Sequence, residues 1–119
     1  MTRTEIENSL KDLNQLVLEG KALEAFEKYY HEDVCMQENH EPPTISKAAN
    51  REREKQFFAD ITEFRNATVE GLAVGDGISY VTWKYDYTHK DWGVKNYTQV
   101  AVQHWKDGKI IREQFIYPN

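Results

Sequence analysis

The chain has one cysteine in 119 residues, three prolines, and no apolar run long enough to cross a membrane. Cys35 alone cannot close an internal disulfide, and the Cys and His residues show no zinc-ligand spacing, so neither oxidative staples nor a metal site is expected. No cofactor motif is recognisable and no cofactor is expected. The opening MTRTEIENSLKDLNQ is charged and lacks the apolar core of a secretory leader, which predicts a cytoplasmic protein. Concentrated positive charge is missing too: the net charge is −5, with lysines and arginines dispersed among the acids. Without a basic stripe, neither nucleic acid nor a membrane surface is expected as a partner. Linkers, repeats and low-complexity segments are absent, which predicts one domain over residues 1–119. At that length a folded chain buries roughly two thirds of its unfolded surface, enough for a core without staples.

What is present is periodic. Ile6, Leu10, Leu13 and Val17, with Leu16 and Leu18 beside them, form the stripe of an amphipathic helix over residues 4–18 that stops at Gly20. A second helix is predicted over 21–30, burying Leu23, Phe26 and Tyr30, with a turn at His31-Glu32-Asp33. Val34, Met36 and Glu38 then alternate with Cys35 and Gln37 as a short strand that ends at Glu41-Pro42-Pro43, because proline cannot continue a ladder. Residues 46–62 read as a third helix capped by Ser46. Beyond it the period becomes two, with strands at 64–74, 78–89, 94–105 and 109–117 separated by Gly-containing hairpin signals. The prediction is an α+β fold, three N-terminal helices packed on a curved, mainly antiparallel sheet.

Four local patterns, in this order and spacing, carry a family resemblance: Glu19-Gly20-Lys21-Ala22-Leu23, Tyr29-Tyr30-His31-Glu32-Asp33-Val34, Tyr80-Val81-Thr82-Trp83 and Trp105-Lys106-Asp107-Gly108-Lys109-Ile110. The chain resembles the nuclear transport factor 2-like superfamily, specifically its SnoaL-like and ketosteroid isomerase-like small domains with their cystatin-like α+β roll. That resemblance implies a cone whose concave sheet face and helices enclose a pocket. It does not imply one function, since the superfamily includes isomerases, cyclases, dehydratases, oxygenase subunits and non-catalytic proteins.

Strand parity selects the residues expected to line such a pocket. They are Val81, Trp83, Tyr85 and Tyr87 on one strand, then Tyr97, Gln99, Ala101, Gln103 and Trp105, then Glu113, Phe115 and Tyr117. Any single ring among them is more simply a core residue, but several tyrosines on one inward face suggest a partly wet cavity, because burying an unpaired hydroxyl is costly. Glu38 shares parity with Val34 and Met36, and a carboxylate beside Met and aromatic rings should have a raised pKa, which suits a general base. The resemblance to ketosteroid isomerase places Glu38 at that enzyme's proton-abstracting aspartate. Its tyrosine on the first helix corresponds to Asp12 and its neutral aspartic acid to Ala101, while the last-strand aspartate of SnoaL-type cyclases corresponds to Phe115.

The candidate catalytic pair is Glu38 and Glu113. Candidate ligand contacts are Tyr30, His40, Trp83, Tyr85, Tyr87, Gln99, Gln103, Phe115 and Tyr117, around a small apolar or aromatic molecule. The rival reading leaves Glu38 at a solvated strand end and pairs Glu113 with Lys109 or Arg112 on the surface. Cys35 reads as a buried, inert thiol, and His31, His89 and His104 as loop, strand-end and outer-face residues. Val94, Val100, Val102, Ile110 and Ile116 make the other sheet face apolar too, which predicts a homodimer through the outer face, with His104 and Gln114 at its rim. Three functions remain open: a cofactor-free lyase or isomerase with Glu38 as base, a non-catalytic ligand-binding domain, and a protein-interaction module.

Overall fold

The computed structural model describes residues 1–118. Helix α1 (Arg3–Leu18) opens with a capping box: Thr2 Oγ1 accepts from the Glu5 amide at 3.1 Å, and Glu5 returns the bond to the Thr2 amide at 2.8 Å. Ile6, Leu10 and Leu13 are its buried stripe. Gly20, at φ +79°, ends it in a left-handed conformation that a β-carbon would oppose, with the Lys21 amide bonded back to Leu16 at 2.8 Å.

Helix α2 (Ala22–Tyr29) has only two turns, and its inward positions are Ala25 and Phe26. Leu23, expected inside, is 38% exposed. Tyr30 is buried as expected, but as the first residue of strand β1 (Tyr30–Glu38). The expected turn at His31-Glu32-Asp33 lies within this strand. β1 runs parallel to β6, and between the paired positions Tyr30 with Ile110 and Cys35 with Arg112 it spends five residues where β6 spends two. The broken hydrophobic pattern is this irregularity rather than a chain reversal. A two-residue strand, β2 (Thr44–Ile45), pairs antiparallel with β1 and was too short to leave a periodic signal.

Helix α3 (Lys47–Ala59) is capped by Ser46, whose Oγ accepts from the Ala49 amide at 3.1 Å. Buried Asn50 ties it to the sheet by donating to the carbonyls of Ser46, Thr44 and Val34 at 2.9, 3.0 and 3.3 Å. The helix ends two residues before Ile61, where β3 (Ile61–Val74) begins; β4 (Ile78–His89), β5 (Gly93–Lys106) and β6 (Lys109–Ile116) follow as a meander. The strand order is β2-β1-β6-β5-β4-β3, so the sheet is open, with β2 and β3 at its edges. The fold is α+β, three helices on a six-stranded, mostly antiparallel sheet. The core joins Ile6, Leu10 and Leu13 of α1 and Phe26 of α2 to Val34, Val81, Trp83, Trp105 and Ile110 of the sheet. No described helix is long and apolar enough to cross a membrane.

The inward rows on β4 and β5 follow parity: Val81, Trp83, Tyr87, Gln99, Ala101, Gln103 and Trp105 are all buried. On β6 parity fails for one residue. His104 pairs with Arg112, but the next pair is Trp105 with Ile110, so Ile111 is the extra residue of a bulge. Ile110, expected on the outer face, is thereby turned inward and fully buried. The outer face keeps Val94, Ile116 and Tyr80 at 72%, 47% and 40% exposure.

Candidate functional site

The most deeply buried carboxylate is Glu113, 1% exposed. This excludes the surface pairing with Lys109 or Arg112. Its surroundings form a chain whose direction is set at one end. The Trp105 indole can only donate, and its Nε1–H goes to Ser79 Oγ at 2.8 Å. Ser79 therefore donates its own proton to Gln103 Oε1, at 2.7 Å. That turns the Gln103 amide nitrogen toward Glu113 Oε2, at 2.8 Å. The Tyr30 hydroxyl donates to the remaining oxygen, Oε1. Both carboxylate oxygens thus accept a hydrogen bond. Burial pushes the Glu113 carboxyl up to about 7, against the hydrogen bonds from Tyr30 and Gln103, while the charge of Glu38 adds to the rise.

Glu113 closes a small inner pocket of about 100 Å³, with Tyr30, Trp83 and Glu54 among its walls. Outside it lies the main cavity of the cone, about 1420 Å³ including its open mouth. Volumes of ~300–1,000 Å³ are typical of small-molecule clefts. Tyr85, Gln99 and Phe115 border both spaces; Glu38, Tyr87 and Tyr117 line the outer one. The rings form a connected wall. Trp83 stacks on Tyr85 at 5.4 Å and 9°, Tyr85 is 6.0 Å from Tyr97, and Tyr97 is 5.4 Å from Tyr117. The hydroxyls of Tyr87 and Tyr97 are bonded to each other at 2.7 Å.

Glu38 faces this space from the end of β1, two residues beyond Met36, which is paired with Glu113 on the neighbouring strand. Burial raises its pKa, opposed by a hydrogen bond from Tyr117 and the charge of Arg53. A third carboxylate, Glu54 of α3, borders both the main cavity and the inner pocket. Burial, reinforced by the charges of Glu113 and Glu38 and opposed by Arg53, lifts Glu54 to about 7. No described residue donates a hydrogen bond to it, whereas Glu38 has Tyr117 and Glu113 has Tyr30 and Gln103.

Glu54 escaped the reading of the sequence because it stands in the charged run Arg51-Glu52-Arg53-Glu54-Lys55. A signal was nevertheless there: Asn50, Glu54, Phe57 and Ile61 recur at four-, three- and four-residue spacing, the inward stripe of a helix. Of the other expected residues, His40 is exposed in the turn after β1 and does not border the cavity. Cys35 is half-buried in β1. His89, at the end of β4, is more enclosed than a strand-end residue need be: it is 3% exposed and stacks on Trp92 at 3.7 Å beside Phe57, at the cavity mouth. Asp12 faces away from the cavity and accepts from Lys28 at 2.7 Å and from the Tyr29 hydroxyl. Among the described residues, no group of three or more His, Cys, Asp or Glu side chains is arranged to hold a metal ion.

Comparison with known proteins follows the same outline as this geometry. The SnoaL-like domain family matches residues 1–117. The chain belongs to the SnoaL-like family. This SnoaL-like domain is similar to a protein of known crystal structure from Mesorhizobium loti, named as a candidate SnoaL-like polyketide cyclase with carbohydrate phosphatase as a second description. The two share 29% identity, with a TM-score of 0.86 over 98% of this chain and 100% of that one. At the level of fold alone it resembles an NTF-2 like protein of unknown function from Burkholderia xenovorans (11% identity, TM-score 0.78, 98% and 84% covered). It likewise resembles a candidate hydroxylase from Streptomyces galilaeus (9% identity, TM-score 0.77, 98% and 91% covered). Comparison with curated protein sequences finds no match.

Proposed function

We propose that this SnoaL-like domain binds a small, largely apolar or aromatic organic molecule in its cone and moves a proton on it, as a lyase or isomerase working without a cofactor. The observation that carries the reading is the unequal placement of two carboxylates facing one aromatic cavity. Burial raises both and Arg53 opposes both, but Tyr117 favours the charged form of Glu38, whereas the charges of Glu113 and Glu38 add to the rise of Glu54, which stands at about 7. At neutral pH Glu54 is divided between its acid and its base, and Glu38, favoured in its charged form by Tyr117, is the better candidate for the base. That is the division of labour a proton transfer uses: Glu38 takes a proton from carbon and Glu54 supplies one to the departing or enolising oxygen. Glu113, with both oxygens engaged, fixes Tyr30 and the floor of the inner pocket.

A surrogate substrate tests this without knowledge of the natural one. In 5-nitrobenzisoxazole, removal of the ring C–H proton breaks the N–O bond, forms a nitrile and leaves the electron pair on a coloured phenolate oxygen. Wild type should accelerate this opening above acetate at equal carboxylate concentration, and Glu38→Gln should slow it by ~10²-fold, within the range of a lost general base. A variant that binds the probe and retains the wild-type rate would remove Glu38 from the mechanism. A non-catalytic ligand-binding role is the second reading; the turning of Asp12 toward Lys28 and Tyr29 rather than the cavity favours it.

A further inference from the structure

The charge inside the cone is unbalanced. Glu38, Glu54 and Glu113 act on one another through space, since the charge of Glu38 bears on both of the others and that of Glu113 bears on Glu54. They lie on three different elements, β1, α3 and β6: Glu38 lines the main cavity, Glu113 the inner pocket, and Glu54 borders both. The cation that bears on Glu38 and Glu54 is Arg53. It is an exposed side chain whose Nη1 is taken by Thr44 Oγ1 at 2.5 Å. Lys47, the buried lysine of the same helix, is directed elsewhere: its Nζ donates to the Glu27 carbonyl at 2.8 Å and lies 3.8 Å from the Glu27 carboxylate. A carboxylate withdrawn from water without a counter-charge is costly. Here Glu54, half-buried on the border of both cavities, has only the charge of Arg53 to offset its own and no hydrogen-bond donor.

The walls around these carboxylates are of the kind that favours a cation. Trp83, Tyr85, Tyr97 and Tyr117 form a continuous run of ring contacts. An ammonium over such faces is attracted by the ring quadrupole, the more so the drier the site. A carboxylate or phosphate on the ligand would meet the opposite conditions, adding like charge to three glutamates while Arg53, the arginine of the cavity lining that bears on them, is already bonded to Thr44.

We infer that the ligand of this cavity carries an organic cation, a protonated amine on an apolar body, whose charged end sits between Glu38 and Glu54 against the faces of Tyr85 and Tyr117. The inference rests on the proposed function's reading of the cone as a ligand site, and it names the ligand class. The cation adds to the partial counter-charge of Arg53, so its binding at neutral pH should expel a proton from Glu54, which then holds this ligand as a counter-ion rather than as a proton donor, and the hydrocarbon body takes the aromatic wall.

Three probes of one shape separate the possibilities: 4-phenylbutylamine, 4-phenylbutanol and 4-phenylbutanoate, titrated calorimetrically at pH 7 in two buffers of different ionisation enthalpy. The amine should bind at least ~10-fold tighter than the alcohol and the carboxylate weakest. Amine binding should be accompanied by proton release, and Glu54→Gln should reduce the ratio of amine to alcohol affinity together with the proton release. Alcohol or carboxylate binding as tight as the amine overturns the inference while leaving the ligand-site reading standing. An amine preference that survives unchanged in both Glu54→Gln and Glu38→Gln overturns the assigned position. If none of the three binds, the ligand-site reading fails and the inference with it.

Discussion

Glu54 has the same chemical identity as its exposed neighbour Glu52, and only its position on the helix makes it different. A carboxyl that holds its proton more tightly folded than unfolded stabilises the fold below its unfolded pKa and loses that contribution as pH rises through the folded one. With Glu54 at about 7 in the folded chain and at ~4.3 when unfolded, its contribution is present in mild acid and lost toward pH 8. Replacing it by Gln removes a titrating group without taking away any hydrogen bond. Urea unfolding at pH 5.5 and pH 8 should therefore show the wild type losing more stability than Glu54→Gln. The difference should be on the order of 1–2 kcal/mol, allowing for the part of the side chain that meets solvent. Parallel pH dependence in the two proteins would mean that Glu54 is not desolvated. At this scale the sequence was half legible. Glu38 stood out because strand parity is strict over Val34, Met36 and Glu38, while Glu54 did not, because a helical stripe containing polar Asn50 resembles a solvated face.

At the scale of elements, long regular segments were the readable ones. β4 begins and ends where its alternation does, α3 is capped by the expected Ser46, and α1 starts at Arg3, one residue ahead of the expected start, with Thr2 as an unexpected cap. The differences lie where the period is interrupted. Five residues of β1 oppose two of β6, which mimics a turn in the sequence. Another interruption, the bulge between His104 and Trp105, reverses the parity of Ile110 yet returns the strand to register in time for Glu113 to pair with Gln103. A bulge leaves no mark in composition, since the extra residue, Ile111, is as good a strand former as its neighbours. Without it Ile110 would join the outer face, and the core would lose a fully buried side chain. The candidate site depends on the same feature, because only the recovered register sets Gln103 beside Glu113.

For the molecule as a whole, two faces of one sheet have different tasks. The inner face closes on the helices, while the outer face leaves Tyr80, Val94 and Ile116 to solvent, with Val100 and Val102 half-buried among them. We propose that a second copy covers this patch, since Tyr80 neighbours Val102, and Val100 neighbours Ile116, across the ladders. Sedimentation at tens of micromolar should show a dimer, and Ile116→Lys, a change at a 47% exposed position, should yield a folded monomer. A wild-type monomer at that concentration would refute the pairing. The cone sets Glu38 of β1 in its main cavity, Glu113 of β6 in the inner pocket and Glu54 of α3 on the border of both, and everything proposed for its chemistry requires that they be withdrawn from water there. The most direct test is a carbon-13 carboxyl titration of Glu54, assigned by comparison with Glu54→Gln. A midpoint at about 7 is the result this account predicts; a midpoint near ~4.3, that of an exposed glutamate, would contradict it.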